Sequence, residues 1–277
     1  MKKSVLFLSA LLFIGTAAFA QTTRVLKKVM ELKMISKEEG GEMPGTRGAS
    51  VAWHPVQKKY YVSFAGNSGY PMAVFSATGK RLTPDDQITM IDTRGLWYNP
   101  AKKLICGNGY NEFGWFSYKL DAKGLPTENV VDFEGKHQPG DQSVGAYNAA
   151  KKQVLFLDGS AVVVYNDKAE EQDNDKKTIL HWGLTAKDGI AEDEDETEVP
   201  EGYNNTTLVY TGVPGAEIGV LNVVEKQIEL YSYKTGFLSQ KLKLPDTATT
   251  ELMFNFAFTN GIYWLFDMET RVWTGYK

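Results

Sequence analysis

Few residues in this 277-residue chain combine a reactive type with a suggestive spacing. The clearest pair is Thr46-Arg47-Gly48 and Thr93-Arg94-Gly95, one triplet set before each of two similar apolar segments. Two guanidiniums on one rim can grip a carboxylate, a phosphate or an acidic side chain through paired N–H donors. Comparable positions before later segments hold Asp141-Gln142-Ser143, Asn204-Asn205-Thr206 and Asn255. These positions nominate Arg47, Arg94, Asp141, Gln142, Asn205 and Asn255 as ligand contacts, with Trp97 beside them. Carboxylates offer a second chemistry. Asp92, Asp141, Glu217 and Glu251 are the set from which a hydrolase would draw an acid and a base, although none sits in a recognisable motif. His54, His137 and His181 are too scattered for zinc spacing. Cys106 lies in an apolar strand pattern with no histidine near it in sequence, which reads as a buried, inert thiol.

These residues hang on a repeated phrase. Ser50-Val51-Ala52-Trp53-His54-Pro55 runs into a polar turn and then Tyr60-Tyr61-Val62-Ser63-Phe64. The phrase returns as Leu96-Trp97-Tyr98-Asn99-Pro100 with Leu104-Ile105-Cys106, and again as Val144-Gly145-Ala146-Tyr147-Asn148 with Val154-Leu155-Phe156. Each is a hairpin, and each is followed by a third strand: Met72 to Ser76, Gly114 to Tyr118, Ala161 to Tyr165. Weaker copies follow from Thr207 and from Phe254. Inner strands centred near Ala52, Trp97, Ala146, Val209 and Ala257 recur at the spacing of propeller blades. The expected fold is therefore all-β: a single β-propeller of five four-stranded blades. A six-blade count would require splitting residues 166–216. The last copy stops one strand short, and Arg24 to Ile35 stands alone before the first. That stretch is expected to close the ring by joining the last blade, which also protects its strand edges. The loops Asn67 to Pro71 and Asn108 to Gly114 are equivalent, and their aromatics Tyr70, Tyr110 and Phe113 suit a rim for a partner surface.

The ends and the charge bound the setting. Lys2 and Lys3, an apolar run from Val5 to Ile14 and Ala18-Phe19-Ala20 describe a signal peptide over residues 1–20. The run is shorter than the ~20 residues that span a bilayer, so the mature chain, 21–277, is expected in the periplasm or outside the cell, without a transmembrane segment. An insertion at about 167–202 breaks the repeat. It holds 13 acidic residues and 4 lysines between Asp167 and Glu201, against a net charge of −4 for the whole chain. Such a composition reads as a solvated loop. Calcium at Asp173-Asn174-Asp175 is the one cofactor it suggests, though the full ligand ladder is missing. No dense basic stripe of the kind that binds nucleic acid occurs.

Val51-Ala52-Trp53-His54-Pro55 with Tyr60-Tyr61-Val62-Ser63 resembles propeller repeats of the WD40, YVTN and NHL-like kind. The Ala-Phe-Ala leader end followed by Gln21 is similar to that of proteins exported by Bacteroidetes. The resemblance implies a secreted repeat propeller and assigns no residue a role. The function expected is non-catalytic binding of a protein or a small polar or anionic ligand at one channel mouth. The alternative is a hydrolase or lactonase-like enzyme using carboxylates at that mouth.

Overall fold

The computed structural model describes residues 22–39, 41–172, 177–189 and 198–277. The leader at 1–20, the acidic run Glu192–Glu196 and the calcium candidate at Asp173–Asp175 lie outside the described residues. Strands come in chain order: β1 (Thr22–Val25), β2 (Lys28–Lys33), β3 (Arg47–His54), β4 (Lys59–Ala65), β5 (Met72–Ser76), β6 (Thr93–Asn99), β7 (Leu104–Gly109), β8 (Trp115–Leu120), β9 (Pro126–Phe133) and β10 (Ala146–Asn148). They continue with β11 (Gln153–Asp158), β12 (Ala161–Tyr165), β13 (Thr178–Ile179), β14 (Tyr203–Tyr210), β15 (Ile218–Asn222), β16 (Gln227–Tyr231), β17 (Leu238–Lys243), β18 (Phe256–Thr259), β19 (Ile262–Asp267) and β20 (Val272–Tyr276). Five sheets result, and the protein is the five-bladed β-propeller that the repeat predicts. Blades I to V begin at β3, β6, β10, β14 and β18.

Blades II and III follow the four-stranded plan. Blade V does so only because β2 pairs antiparallel with β20, matching Leu32 to Trp273. This is the closure expected of residues 24–35. Two departures were not expected. β1 runs parallel to β17 and adds a fifth strand to blade IV. Blade I has three ladder strands, and the isolated bridges Pro71 to Ile88 and Phe75 to Arg81 stand in for a fourth. The N-terminal segment therefore ties two blades together, with Leu26 buried at the crossing in the cluster between blades IV and V.

Packing follows from the two-residue period of strands, which turns alternate side chains toward opposite neighbours. In each inner strand the residue of the central pair that comes first packs toward the following blade: Ala52, Trp97, Ala146, Val209 and Ala257. The aromatic just after it packs toward the preceding blade: Trp53, Tyr98, Tyr147, Tyr210 and Phe258. Each blade interface thus holds one apolar cluster, with a large ring wedged in from one side.

The repeated turns have a shared mechanism. Asn99 Oδ1 accepts from the N–H groups of Ala101 (3.0 Å) and Lys102 (3.2 Å), and Asn148 Oδ1 from Lys151 N–H (3.2 Å). His54 takes the same place in blade I. Its Nδ1 accepts from Gln57 N–H at 3.2 Å, and its Nε2 donates to Lys103 O of the next blade at 3.1 Å. Lys58, Lys103 and Lys152 then adopt the left-handed conformation, with φ of 52°, 58° and 55°.

Candidate functional site

All five inner strands run from one mouth of the ring, the entry mouth, to the other, the exit mouth. The entry mouth is shut. Asn255 Oδ1 accepts from Gly48 N–H at 2.6 Å, and Asn255 N–H donates to Gly48 O at 3.0 Å, fastening blade V to blade I. Asp92 Oδ1 accepts from Gly66 N–H at 2.8 Å, fastening blade II to blade I. Asn108 receives Gly145 N–H at 3.1 Å and donates to Ser143 O at 2.8 Å, fastening II to III. Asn204 donates to Glu251 O and Phe254 O, both at 2.9 Å, fastening IV to V. Inside this collar Ala49, Ala65, Val144 and Phe254 pack as an apolar plug. No side chain but glycine fits at Gly48, where a Cβ would meet Trp273 Cζ2 at 2.3 Å.

The nominated residues divide on this geometry. Arg94 is 3% exposed and forms an ion pair with Asp92. Its Nε donates to Gln142 Oε1 at 2.9 Å, and its guanidinium lies 4.7 Å from the Tyr110 ring centre and 5.5 Å from that of Phe254. Arg94, Gln142 and Tyr110 are thereby brought together, with Arg94's donors spent on Asp92 and Gln142 and its flat face on the Tyr110 ring, while the buried Asn255 is spent on Gly48. Arg47 and Asn205 are exposed on the same mouth. Asp141 pairs with Lys136 at 2.8 Å on the surface. Phe113 is exposed and Tyr70 half-buried. Trp97 is the exception: it stacks on Tyr147 between blades II and III, and its edge reaches the channel.

The channel opens at the exit mouth. It holds a cavity of about 430 Å³ lined by residues of every blade, within the ~300–1,000 Å³ usual for small-ligand sites. Among the described residues no aspartate, glutamate, lysine, arginine or histidine lines it. The half-buried rings of Tyr98, Tyr147, Tyr210 and Phe258 form its aromatic wall, and Ser50, Asn148, Thr211, Thr259 and Asn260 supply neutral polar groups. These aromatics are the wedges described above, with one edge left over for the channel. Sequence reasoning missed them, although the signal was present: an aromatic follows the first residue of the central pair in all five copies.

The candidate carboxylates do not converge on this cavity. Asp92 is committed to Arg94, and Asp141 to Lys136. Glu251 sits in the loop before β18. Glu217 lies in the β14–β15 loop near the exit mouth. Burial works to raise its carboxyl, but the N–H groups of Tyr233 and Gly215, each at 3.0 Å, outweigh that and hold it below the usual carboxylate value. An ionised carboxylate satisfied by backbone donors is a loop staple rather than a proton donor. Burial pushes the Cys106 thiol up to about 12. Among the described residues no group of three metal-ligating side chains gathers, and no helix is long and apolar enough to cross a membrane.

No family model matches the chain, and no curated protein matches it. Solved structures do. A glutaminyl cyclase from Myxococcus xanthus aligns at 9% identity with a TM-score of 0.53, over 93% of this chain and 98% of that one. The β-propeller domain of Myceliophteria thermophila Swd1 aligns at 10% identity and a TM-score of 0.42, over 83% and 82%. An auxiliary nutrient binding protein from Bacteroides thetaiotaomicron aligns at 9% identity and a TM-score of 0.43, over 83% of this chain and 58% of that one. At such identities the likeness is one of fold. The chain is a β-propeller whose channel is sealed at one mouth and open at the other.

Proposed function

We propose that the protein is a non-catalytic, exported binding propeller that takes a small polar ligand into the exit-mouth cavity. The observation that carries this reading is the lining: five blades contribute to one space, and among the described residues none contributes a carboxylate or a base. Acid–base hydrolysis needs two such groups poised around a bond, whereas binding needs a concave wall of rings with a few neutral polar groups. A test is a thermal-shift screen of small polar compounds on the native chain and on Ala149→Trp. Ala149 is exposed and lines the cavity, so tryptophan there narrows the mouth without entering the core. Stabilising compounds should lose their effect on Ala149→Trp. Loss on Arg47→Ala, with Ala149→Trp still responding, would move the ligand to the entry mouth and sink the proposal.

A protein-binding reading attaches to the entry mouth. Met43, Phe113 and Leu252 are each about half exposed there, at 49%, 49% and 51%, beside the exposed Arg47. Crosslinking through Phe113→Cys in the native envelope fraction tests it; no adduct beyond that of a cysteine placed at exposed Val56 would remove it.

A further inference from the structure

We infer that the exit face of the ring is a docking surface for an anionic lipid bilayer, with the entry face turned to solvent. The inference is independent of the cavity reading above. It starts from how charge divides between the two faces. Neighbouring strands of a blade are antiparallel, so the turns after first and third strands reach the exit face, and the other connections reach the entry face. The exit-side turns carry exposed lysines on four blades: Lys58 and Lys80 on blade I, Lys102, Lys103 and Lys123 on II, Lys151, Lys152 and Lys168 on III, and Lys234 on IV. On blade V the Lys277 amine reaches the turn at Gly261. Among the described residues only Lys102 of these has an ion-pair partner, Asp132 at 2.9 Å. Of the carboxylates at the same turns, Asp121 and Glu217 each accept from backbone N–H groups, which leaves Asp167. Glu170 and Glu171, further along the β12–β13 connection, are taken up by Asn166 and Lys177.

The entry-side connections are the reverse. Glu38, Glu39 and Glu42 lead into β3, Glu198 and Glu201 into β14, and Asp246 and Glu251 into β18, against the exposed lysines Lys37, Lys136 and Lys187 among the described residues of those loops. The chain's net charge of −4 therefore hides a basic face and an acidic one. An eight-residue inner strand such as β3 puts roughly 25 Å between them. The screening length at physiological salt is about 8 Å, so an anionic surface meeting the exit face is attracted by the lysines and barely senses the acids behind them. Two exposed valines stand in the same exit-side turns, Val56 at 72% and Val213 at 48%. Apolar tips among lysines suit the boundary between headgroups and acyl chains. A linear polyanion needs a charged groove to follow, whereas these lysines sit on separate turn tips around an opening, a layout that meets a plane.

The test is co-sedimentation of the full mature chain with mixed phosphatidylglycerol–phosphatidylcholine vesicles and with pure phosphatidylcholine vesicles. The anionic vesicles should capture the protein at about 0.1 M salt and release it at about 1 M, where charges are screened within a few ångströms; the neutral vesicles should not capture it. Each lysine near an anionic surface strengthens binding about fivefold, so Lys58→Asn/Lys103→Asn/Lys152→Asn should weaken it on the order of a hundredfold. Asparagine suits the left-handed backbone at these three turns, so the fold is kept. Lys37→Asn/Lys136→Asn/Lys187→Asn removes the same charge from the entry side and should change binding less than about twofold. A polarity-sensitive dye on Val56→Cys should shift to the blue on anionic vesicles. The same dye on Val224→Cys, in the entry-side β15–β16 turn, should not; Cys106 is buried and stays unlabelled. Equal capture by both vesicle types, no capture by the anionic ones at about 0.1 M salt, or equal losses in the two triple variants overturns the inference. Binding to soluble polyphosphate without binding to vesicles overturns it too. None of these outcomes decides the cavity reading, which the compound screen tests separately.

Discussion

Replacing Arg94 by alanine separates a ligand contact from a structural clamp. The guanidinium is 3% exposed and the Asp92 side chain 12%. Removing the cation leaves a nearly buried carboxylate supported by Gly66 N–H alone among its present partners. Stranding one charge of a buried pair costs about 3–5 kcal/mol. For a domain of roughly this size each kcal/mol lowers the melting temperature by about 2–4 °C, so the midpoint should fall by about 6–20 °C. Urea unfolding followed by tryptophan fluorescence measures the loss directly. In an Arg94→Met background, Asp92→Asn should recover stability, because the amide still accepts from Gly66 while the unpaired charge disappears; a coupling of about 1.5 kcal/mol or more is expected for groups in contact. Arg47→Ala, on the exposed rim, should stay within about 0.5 kcal/mol of the parent. A cost below about 1 kcal/mol for Arg94→Ala, with no coupling to Asp92, would refute the clamp.

Other outcomes follow from the same geometry. Burial holds the His54 imidazole below its ordinary value despite its hydrogen bond to Lys103 O, so the neutral ring is favoured in the fold. Stability should be full above the unfolded histidine value, about 6.5, and fall as pH drops through the lower folded value. His54→Asn, the residue of blades II and III at this place, should flatten that decline in urea midpoints taken between pH 5 and 7.5. Asn255→Ala strands the buried Gly48 N–H and should cost about 1–3 kcal/mol by the same unfolding assay. Cys106 should resist Ellman's reagent in the native protein at pH 8 and react once unfolded, since burial keeps its thiol protonated.

How much of this was legible depends on the kind of signal. The hairpins were, because period-two alternation around Asn-Pro or Lys-Lys turns is written in neighbouring residues. The closing strand β2 was legible by subtraction, since blade V lacked a fourth strand. β1 was not: Arg24 to Ile35 reads as one stretch, and only the burial of Leu26 between blades IV and V shows where the chain steps from one sheet to the next. At the entry mouth Asp92 stands two residues before Arg94, so a pair was foreseeable. The burial of that pair was not, because it comes from Phe254 and Tyr110, which are distant in sequence. Which mouth stays open is likewise a product of packing, decided by the plug of Ala49, Ala65, Val144 and Phe254.

The central claim is that ligand occupies the channel from the exit side. A crystal structure of the protein soaked or grown with the tightest compound from the screen tests it most directly. Ligand density is expected against Tyr98, Tyr147, Tyr210 and Phe258, with Arg94 and Asp92 still paired at the sealed mouth. Density seated instead on Arg47 and the loops of the entry mouth, with the channel unchanged, would contradict it.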